Sequence, residues 1–445
     1  HTFNALGPFG FVKVGPDLTE DQPVHVDVDA VQLEKGDTAT PYAANAPIEI
    51  SIEPSAPSGI FTLGEPSSLK IRVVNSGLQA WDGRITLEAC DFFDQTAELP
   101  SAMLSLNAPS KGRADATIEL PRDWKGYYRV LASWTANDRK ESSLIRLAVV
   151  PPQRSKDSIL GINHAFTTPY LIQLARKAGV SWYRDWSLKW DHIEPKEGEY
   201  HWEIGDAQID RVLKEGVQLM ALLPPAPSAS WISEAPEDVI KPVGDGSKPV
   251  SQVIYAPRDP GKLAEYVKKA VTRYRDRVKV WEFLNEPVWH NDYALPRIKG
   301  YTASDYIKLL KLAFGAMKAA DPECRVMGGP NSGTKNKFVE EIVKARCLEH
   351  IDLFNLHFYP REEPEILIPQ MDNLLTLMDT HGGRKPIWIT EFSYYGADDL
   401  PRSPFIPQPK IWEDNRLLPN ERVCAEFTVR FMTIMLARGV EKIFL

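Results

Sequence analysis

From residue 156 to the end, short β-branched runs alternate with longer amphipathic stretches, and the alternation repeats eight times. The first strand reads as Ile159–Ile162, followed by a helix opening at Thr168-Pro169, a cap residue with proline in the first turn. Leu171, Leu174, Ala175 and Ala178 are spaced to face inward on that helix, and Gly179 ends it. Later strands read as 181–184, 217–223, 278–284, 325–328, 352–358, 386–391 and 440–445. Before the fourth, Leu263, Tyr266, Val267, Ala270, Val271 and Tyr274 form one helical stripe. Such alternation builds either a closed (β/α)₈ barrel or an open doubly wound sheet. The barrel is favoured, because no glycine-rich phosphate loop follows the first strand. Nothing remains after Leu445 for an eighth helix, so the barrel reads as cut short and the chain as part of a longer protein.

The preceding 155 residues have a different grammar. Val24–Asp29 alternates as a strand, and a 30–42 run ends Ala39-Thr40-Pro41-Tyr42. Residues 46–150 hold short strand-like runs such as 48–52, 69–74 and 127–132, separated by turns like Asn75-Ser76-Gly77 and Asp82-Gly83. That zone reads as an immunoglobulin-like sandwich, with Pro151-Pro152 as the linker into the barrel domain, 151–445. The fold class is therefore multidomain, β-sandwich modules followed by a (β/α)₈ (TIM) barrel.

Composition narrows function mainly by exclusion. A formal net charge of −8 offers no electrostatic ground for nucleic acid as a partner, and no apolar run is long enough for membrane insertion. The four cysteines, Cys90, Cys324, Cys347 and Cys424, form no CxxC or Cys/His cluster, which leaves a zinc or dithiol site without support. Packed thiols are the simplest reading, with a Cys324–Cys347 bridge left open.

Reactive groups of such barrels sit at the C-terminal ends of strands. The fourth strand ends Asn285-Glu286-Pro287 and the seventh Ile389-Thr390-Glu391. Two carboxylates facing each other across a barrel mouth are what cleavage of a glycosidic bond needs: one acid for the leaving oxygen, one carboxylate to attack or to activate water. Period-two alternation puts Val280, Glu282, Leu284 and Glu286 in one phase, and Ile387, Ile389 and Glu391 in another. Glu282 then points into the barrel and needs a cation, for which Arg184 is the candidate. Asn355, His357 and Tyr359 form a polar column on the sixth strand. Any one of these residues alone would more often be a cap, a solvated charge or a core histidine; together they read as an active-site wall. Asn163 and His164, after the first strand, are candidates for polar contacts. Trp231 and Trp289, in loops after the third and fourth strands, are candidates for sugar stacking.

The Asn285-Glu286-Pro287 run resembles the signature of clan A glycoside hydrolases, and Ile389-Thr390-Glu391 is similar to that clan's nucleophile strand. His357-Phe358-Tyr359 resembles its His-x-Tyr, and Arg184 its strand-two arginine. Trp190, Ile193-Glu194-Pro195, Gly198, Tyr200 and Trp202 resemble a loop of several members, family 39 and its relatives being nearest. The resemblance covers residues 156–445. It implies a retaining mechanism on β-glycosides with Glu286 as acid/base and Glu391 as nucleophile, their carboxyls about 5 Å apart. It further implies Asn285 on the sugar 2-hydroxyl, Tyr359 orienting Glu391, a carbohydrate partner, and no metal or organic cofactor. The 30–42 run resembles the closing strand of jelly-roll carbohydrate-binding modules, so residues 1–45 are expected to be the C-terminal part of one. This domain company implies a secreted, periplasmic or cell-surface protein acting on polysaccharide, with further domains of the same longer protein as partners. A transglycosidase, or a carbohydrate-binding protein on a degenerate barrel, would share these residues and stays open at this point.

Overall fold

The computed structural model describes residues 46–445 except 137, 154, 164–167, 237–238, 240–251, 289–293, 336 and 397–416. The 1–45 zone, His164 and Trp289 thus lie outside the described residues. The chain divides into two compact units, with a boundary between Pro152 and Gln153.

The first unit is built of β-strands, with one 3-10 turn at Pro57–Gly59, among the described residues. Strands Ile48–Pro54, Ser68–Asn75 and Gly112–Glu119 form an antiparallel three-stranded sheet. A second sheet runs in the order Ile60–Thr62, Arg139–Val150, Gly126–Ala136, Trp81–Asp91 and Thr96–Ala97, and Met103–Ala108 also pairs with Trp81–Asp91. Alternation supplies the core: Leu69, Ile71 and Val73 from one sheet pack with Ile85, Leu87, Val130, Ala132 and Trp134 from the other.

In the second unit eight parallel strands close into a barrel. They are β1 (Leu160–Asn163), β2 (Trp182–Asp185), β3 (Gln218–Leu222), β4 (Val280–Glu282), β5 (Arg325–Gly328), β6 (Leu353–Phe358), β7 (Ile387–Phe392) and β8 (Val440–Phe444). Pairing of β1 with β8, Leu160 opposite Ile443, completes the ring and excludes the open sheet. Strand ends move by a residue or two from the sequence reading, most at β4, which is shorter. The interior floor is Trp182, Met220, Val280, Met327, Leu353, Trp388 and Phe444, one residue from each of β2–β8. β1 contributes Gly161 there, because a Cβ would meet the Phe444 ring at 2.4 Å.

Helices cover the outside. Helix Pro260–Tyr274 is capped by Asp259, whose side chain accepts from Gly261 N, and buries all six residues of its expected stripe. Helix Pro169–Lys177 corrects its own: Ile172 is its buried residue, while Leu171 is exposed. A nine-residue helix can turn either flank inward at little cost, so spacing alone chose wrongly. Among the described residues no helix is long and apolar enough to cross a membrane. None of the four cysteines is in a disulfide, which closes the Cys324–Cys347 alternative, and burial pushes Cys324 up to about 11 and Cys347 to about 12.

Candidate active site

Above the apolar floor the barrel interior turns polar. Glu282 is fully buried at the end of β4. Its Oε2 accepts from Arg184 Nε at 2.6 Å, and its Oε1 from Arg184 Nη2 at 2.9 Å. Oε1 also accepts from Asn331 at 2.9 Å, Asn355 at 2.6 Å and Thr390 Oγ1 at 3.2 Å. A carboxylate enclosed by donors from β2, β6 and β7 and the loop after β5 is compensated for its lost water. Arg184 is as deeply buried; desolvation pulls its pKa down, but the charges of Glu282 and Glu391 outweigh that and hold it above the usual value.

Arg184 links this buried layer to the mouth. Its Nη1 donates to Glu391 Oε1 at 2.6 Å and to Asn163 Oδ1 at 3.1 Å, and its Nη2 to Asn285 Oδ1 at 3.0 Å. Tyr359 donates its hydroxyl to Glu391 Oε2 at 2.7 Å. Burial and the adjacent Glu391 charge raise the Tyr359 pKa, so the phenol remains a donor over any working pH. Glu286 sits across the mouth, with Oε1 at 2.9 Å from His357 Nδ1. His357 Nε2 lies 2.9 Å from Thr390 Oγ1. The structure thus brings Arg184, Asn163, Asn285, Glu286, His357, Tyr359 and Glu391 into one constellation.

Two of the strand phases need correction. Leu284 packs in the outer core with Phe283, not in the barrel interior. Alternation stops at Glu282, because the next segment leaves the strand and hangs on another loop: Leu284 N and Asn285 N donate to Pro224 O and Pro225 O. Leu284 (φ 58°) and Glu286 (φ 45°) both take left-handed backbone, a strain of about 1–3 kcal/mol each that tends to gather at functional sites. Those two turns, rather than a continuing β phase, aim Glu286 at the mouth. On β7 the phase is reversed. Ile387 and Ile389 face the outer core, whereas Trp388 and Thr390 point inward. A register shift then pairs Leu356 with Ile389 but His357 with Glu391, so consecutive residues Thr390 and Glu391 both serve the interior.

Trp231 lies beside the Trp190 loop. It is half-buried, meets Trp190 edge to face at 6.1 Å, and donates its indole N–H to Glu194 O at 2.8 Å. Glu194 also takes the Trp190 indole at 2.7 Å and Gly198 N at 2.8 Å. The loop around Trp190 is scaffold, and Trp231 is tied to it through one edge and its indole N–H. Three residues escaped sequence reading: Asn331, Thr390 and Trp186. The Trp186 indole donates to Asn163 Oδ1 at 3.2 Å and lies 4.9 Å from the Arg184 guanidinium. A cavity of about 320 Å³ opens beside Asn285, walled by Trp186, Lys189, Asp191, His192 and Pro225.

Oxygens of Glu286 and Glu391 and a nitrogen of His357 lie within 4.8 Å of one another. That spacing would admit a cation, but Glu391 already accepts from the Arg184 guanidinium. The donor set suits proton transfer and attack better than metal binding.

The model for glycosyl hydrolase family 10 matches residues 181–329, which run from the start of β2 past β5 and include Arg184, Glu282, Asn285 and Glu286. Over that stretch the barrel is similar to family 10 glycosyl hydrolases. A solved family 39 glycoside hydrolase from the gut symbiont Bacteroides cellulosilyticus WH2 superposes with a TM-score of 0.57 at 16% identity, over 89% of this chain and 74% of that one. At that identity the likeness is one of fold. Endo-1,4-beta-xylanase A of Halalkalibacterium halodurans is 27% identical over 131 residues, 28% of this chain and 31% of the relative. Its namesake from Caldicellulosiruptor sp. is 23% identical over 190 residues, 40% of this chain and 26% of the relative. The chain therefore spans less than a third of either curated relative.

Proposed function

We propose that this chain is a retaining glycoside hydrolase acting on β-glycosides by double displacement. The observation that carries the reading is the carboxylate pair: two oxygens within 4.8 Å of each other, in opposite surroundings. Glu391 receives Arg184 and Tyr359, donors that favour a bare carboxylate and hold it in one orientation. Among the described residues Glu286 receives no guanidinium and faces His357 instead. A gap this short leaves no room for a water between attacking group and sugar, which inverting enzymes need at roughly 6.5–9.5 Å.

In the first step a Glu391 oxygen bonds to the anomeric carbon while the C–O bond to the leaving group breaks. The Glu286 proton passes to that departing oxygen. In the second, Glu286 takes a proton from water, the water oxygen bonds to the anomeric carbon, and Glu391 is released as carboxylate. Asn285, held by Arg184, presents its amide at the mouth for the sugar 2-hydroxyl. The cavity beside it offers space for the glycone.

Polysaccharide as the natural substrate, and a secreted, periplasmic or cell-surface location, are the finer parts of the proposal. They rest on reading residues 46–150 as an immunoglobulin-like module and 1–45 as the end of a jelly-roll module, with further domains in a longer protein. Turnover of aryl β-glycosides by this chain, lost in Glu391→Ala, tests the core claim. Sugar binding with no turnover of any glycoside would instead make the barrel a binding protein. Transfer to added acceptor sugars in place of water would make it a transglycosidase.

A further inference from the structure

We propose that Thr390 is a positioning residue that fixes the tautomer of His357 and thereby keeps the proton on Glu286. With Glu286 read as the acid, the protons along one chain of contacts set the tautomer. Glu282 Oε1 accepts from Arg184, Asn331 and Asn355, and Thr390 Oγ1 lies 3.2 Å away. A hydroxyl has a single proton, and a charged carboxylate is the strongest acceptor within its reach. With that proton directed at Glu282, Oγ1 turns a lone pair to His357 Nε2, 2.9 Å away. Nε2 must therefore carry the imidazole proton. Nδ1 of the neutral ring is then a bare acceptor, 2.9 Å from Glu286 Oε1, and that contact is a hydrogen bond only if Glu286 brings the proton. Glu286 is held as the carboxylic acid its first step requires, its hydroxyl aimed by the ring.

The charged and titratable groups facing this chain, among the described residues, are Arg184, Glu282, Glu286, Glu391 and Tyr359. One of them pulls the other way: Glu391 Oε2 lies 3.5 Å from Nδ1 and would favour a proton there. That oxygen already accepts from Tyr359 at 2.7 Å, and its partner oxygen from Arg184 at 2.6 Å, which blunts the pull. The shorter Thr390 contact decides. Thr390 is fully buried, and of its two hydrogen-bonded neighbours, Glu282 and His357, it is His357 that connects it to Glu286.

Two measurements test this. In protein labelled with ¹⁵N-histidine, with His357 assigned through its loss in His357→Gln, the ring should show a protonated Nε2 and an unprotonated Nδ1 at neutral pH. A protonated Nδ1 in the wild type overturns the proposal. This readout needs no turnover, so it judges the tautomer even if no glycoside is cleaved and the hydrolase reading itself fails. The second is the pH profile of kcat/KM for an alkyl β-glycoside, whose poor leaving group needs the acid. Thr390→Val frees the ring to put its proton on Nδ1, toward Glu286, and the alkaline limb should move about one unit to lower pH. Thr390→Ser should restore the wild-type limb, and a dinitrophenyl glycoside should be nearly indifferent. An equal loss at every pH and for both leaving groups in Thr390→Val, or a limb that does not move, contradicts the proposal. If the valine variant does not fold, the serine variant and the wild-type ¹⁵N spectrum still decide.

Discussion

Glu391 and Glu286 differ in what surrounds them, and that difference can be tested one residue at a time. Azide separates their roles. In Glu286→Ala the missing group is the base of the second step, so azide should rescue turnover of an activated aryl glycoside and give a glycosyl azide of retained configuration. In Glu391→Ala the nucleophile is gone, both good and poor leaving groups should fail by several orders of magnitude, and azide should give the inverted product. The opposite stereochemistry would mean that the roles are exchanged. Tyr359 offers a gentler probe. Its hydroxyl makes a hydrogen bond to a charged oxygen, worth about 1.5–3 kcal/mol. Tyr359→Phe should lower kcat about tenfold to a hundredfold while the protein melts close to the wild type. An unchanged kcat would show that Arg184 alone suffices to orient Glu391.

At the scale of the element, the site depends on places where strands stop being regular. The sequence pattern places Glu286 and Glu391 at the ends of β4 and β7, and Asn355 and His357 on the inward face of β6, because apolar neighbours mark those phases. Phase reasoning fails at Leu284, where left-handed backbone takes over, and on β7, where the register shift puts Thr390 and Glu391 on the same side. Neither device has a compositional mark, since the residues involved are ordinary leucine, glutamate and threonine. The anchoring of Trp231 is hidden for a related reason: an indole on a loop looks the same in sequence whether or not its N–H is held by Glu194 O. Asn331 enters the site only through the backbone path of Gly329-Pro330. Gly329 has φ +150° and leaves no room for a side chain, as a Cβ would meet Asn355 Oδ1 at 2.5 Å and Asn355 O at 2.8 Å. Gly329→Ala should therefore push Asn355 off Glu282 and cost at least about 1–3 kcal/mol. A variant that melts with the wild type would refute the close packing after β5.

Across the whole molecule, the two units were legible as units because hydrophobic period changes from two to the mixed βα grammar near residue 156. The closed barrel follows from eight such repeats, while the buried polar layer inside it does not: Arg184 and Glu282 are 98 positions apart and only the wound barrel joins them. That layer ties β2, β4, β6 and β7 through one carboxylate. Removing its cation strands two buried charges, Glu282 and Glu391, at a cost of about 3–5 kcal/mol. Arg184→Met should accordingly lower the melting temperature of the barrel by roughly 10 °C and abolish turnover. An unshifted melting curve would mean that Glu282 is not held as described. Double displacement needs the short gap between Glu286 and Glu391, and the stereochemistry of the first product reads that gap directly. ¹H NMR of an aryl β-glycoside during the first minutes of hydrolysis should show the β-anomer of the free sugar appearing first, with the α-anomer growing in only by mutarotation. The α-anomer as first product would mean inversion, and would contradict double displacement through Glu391.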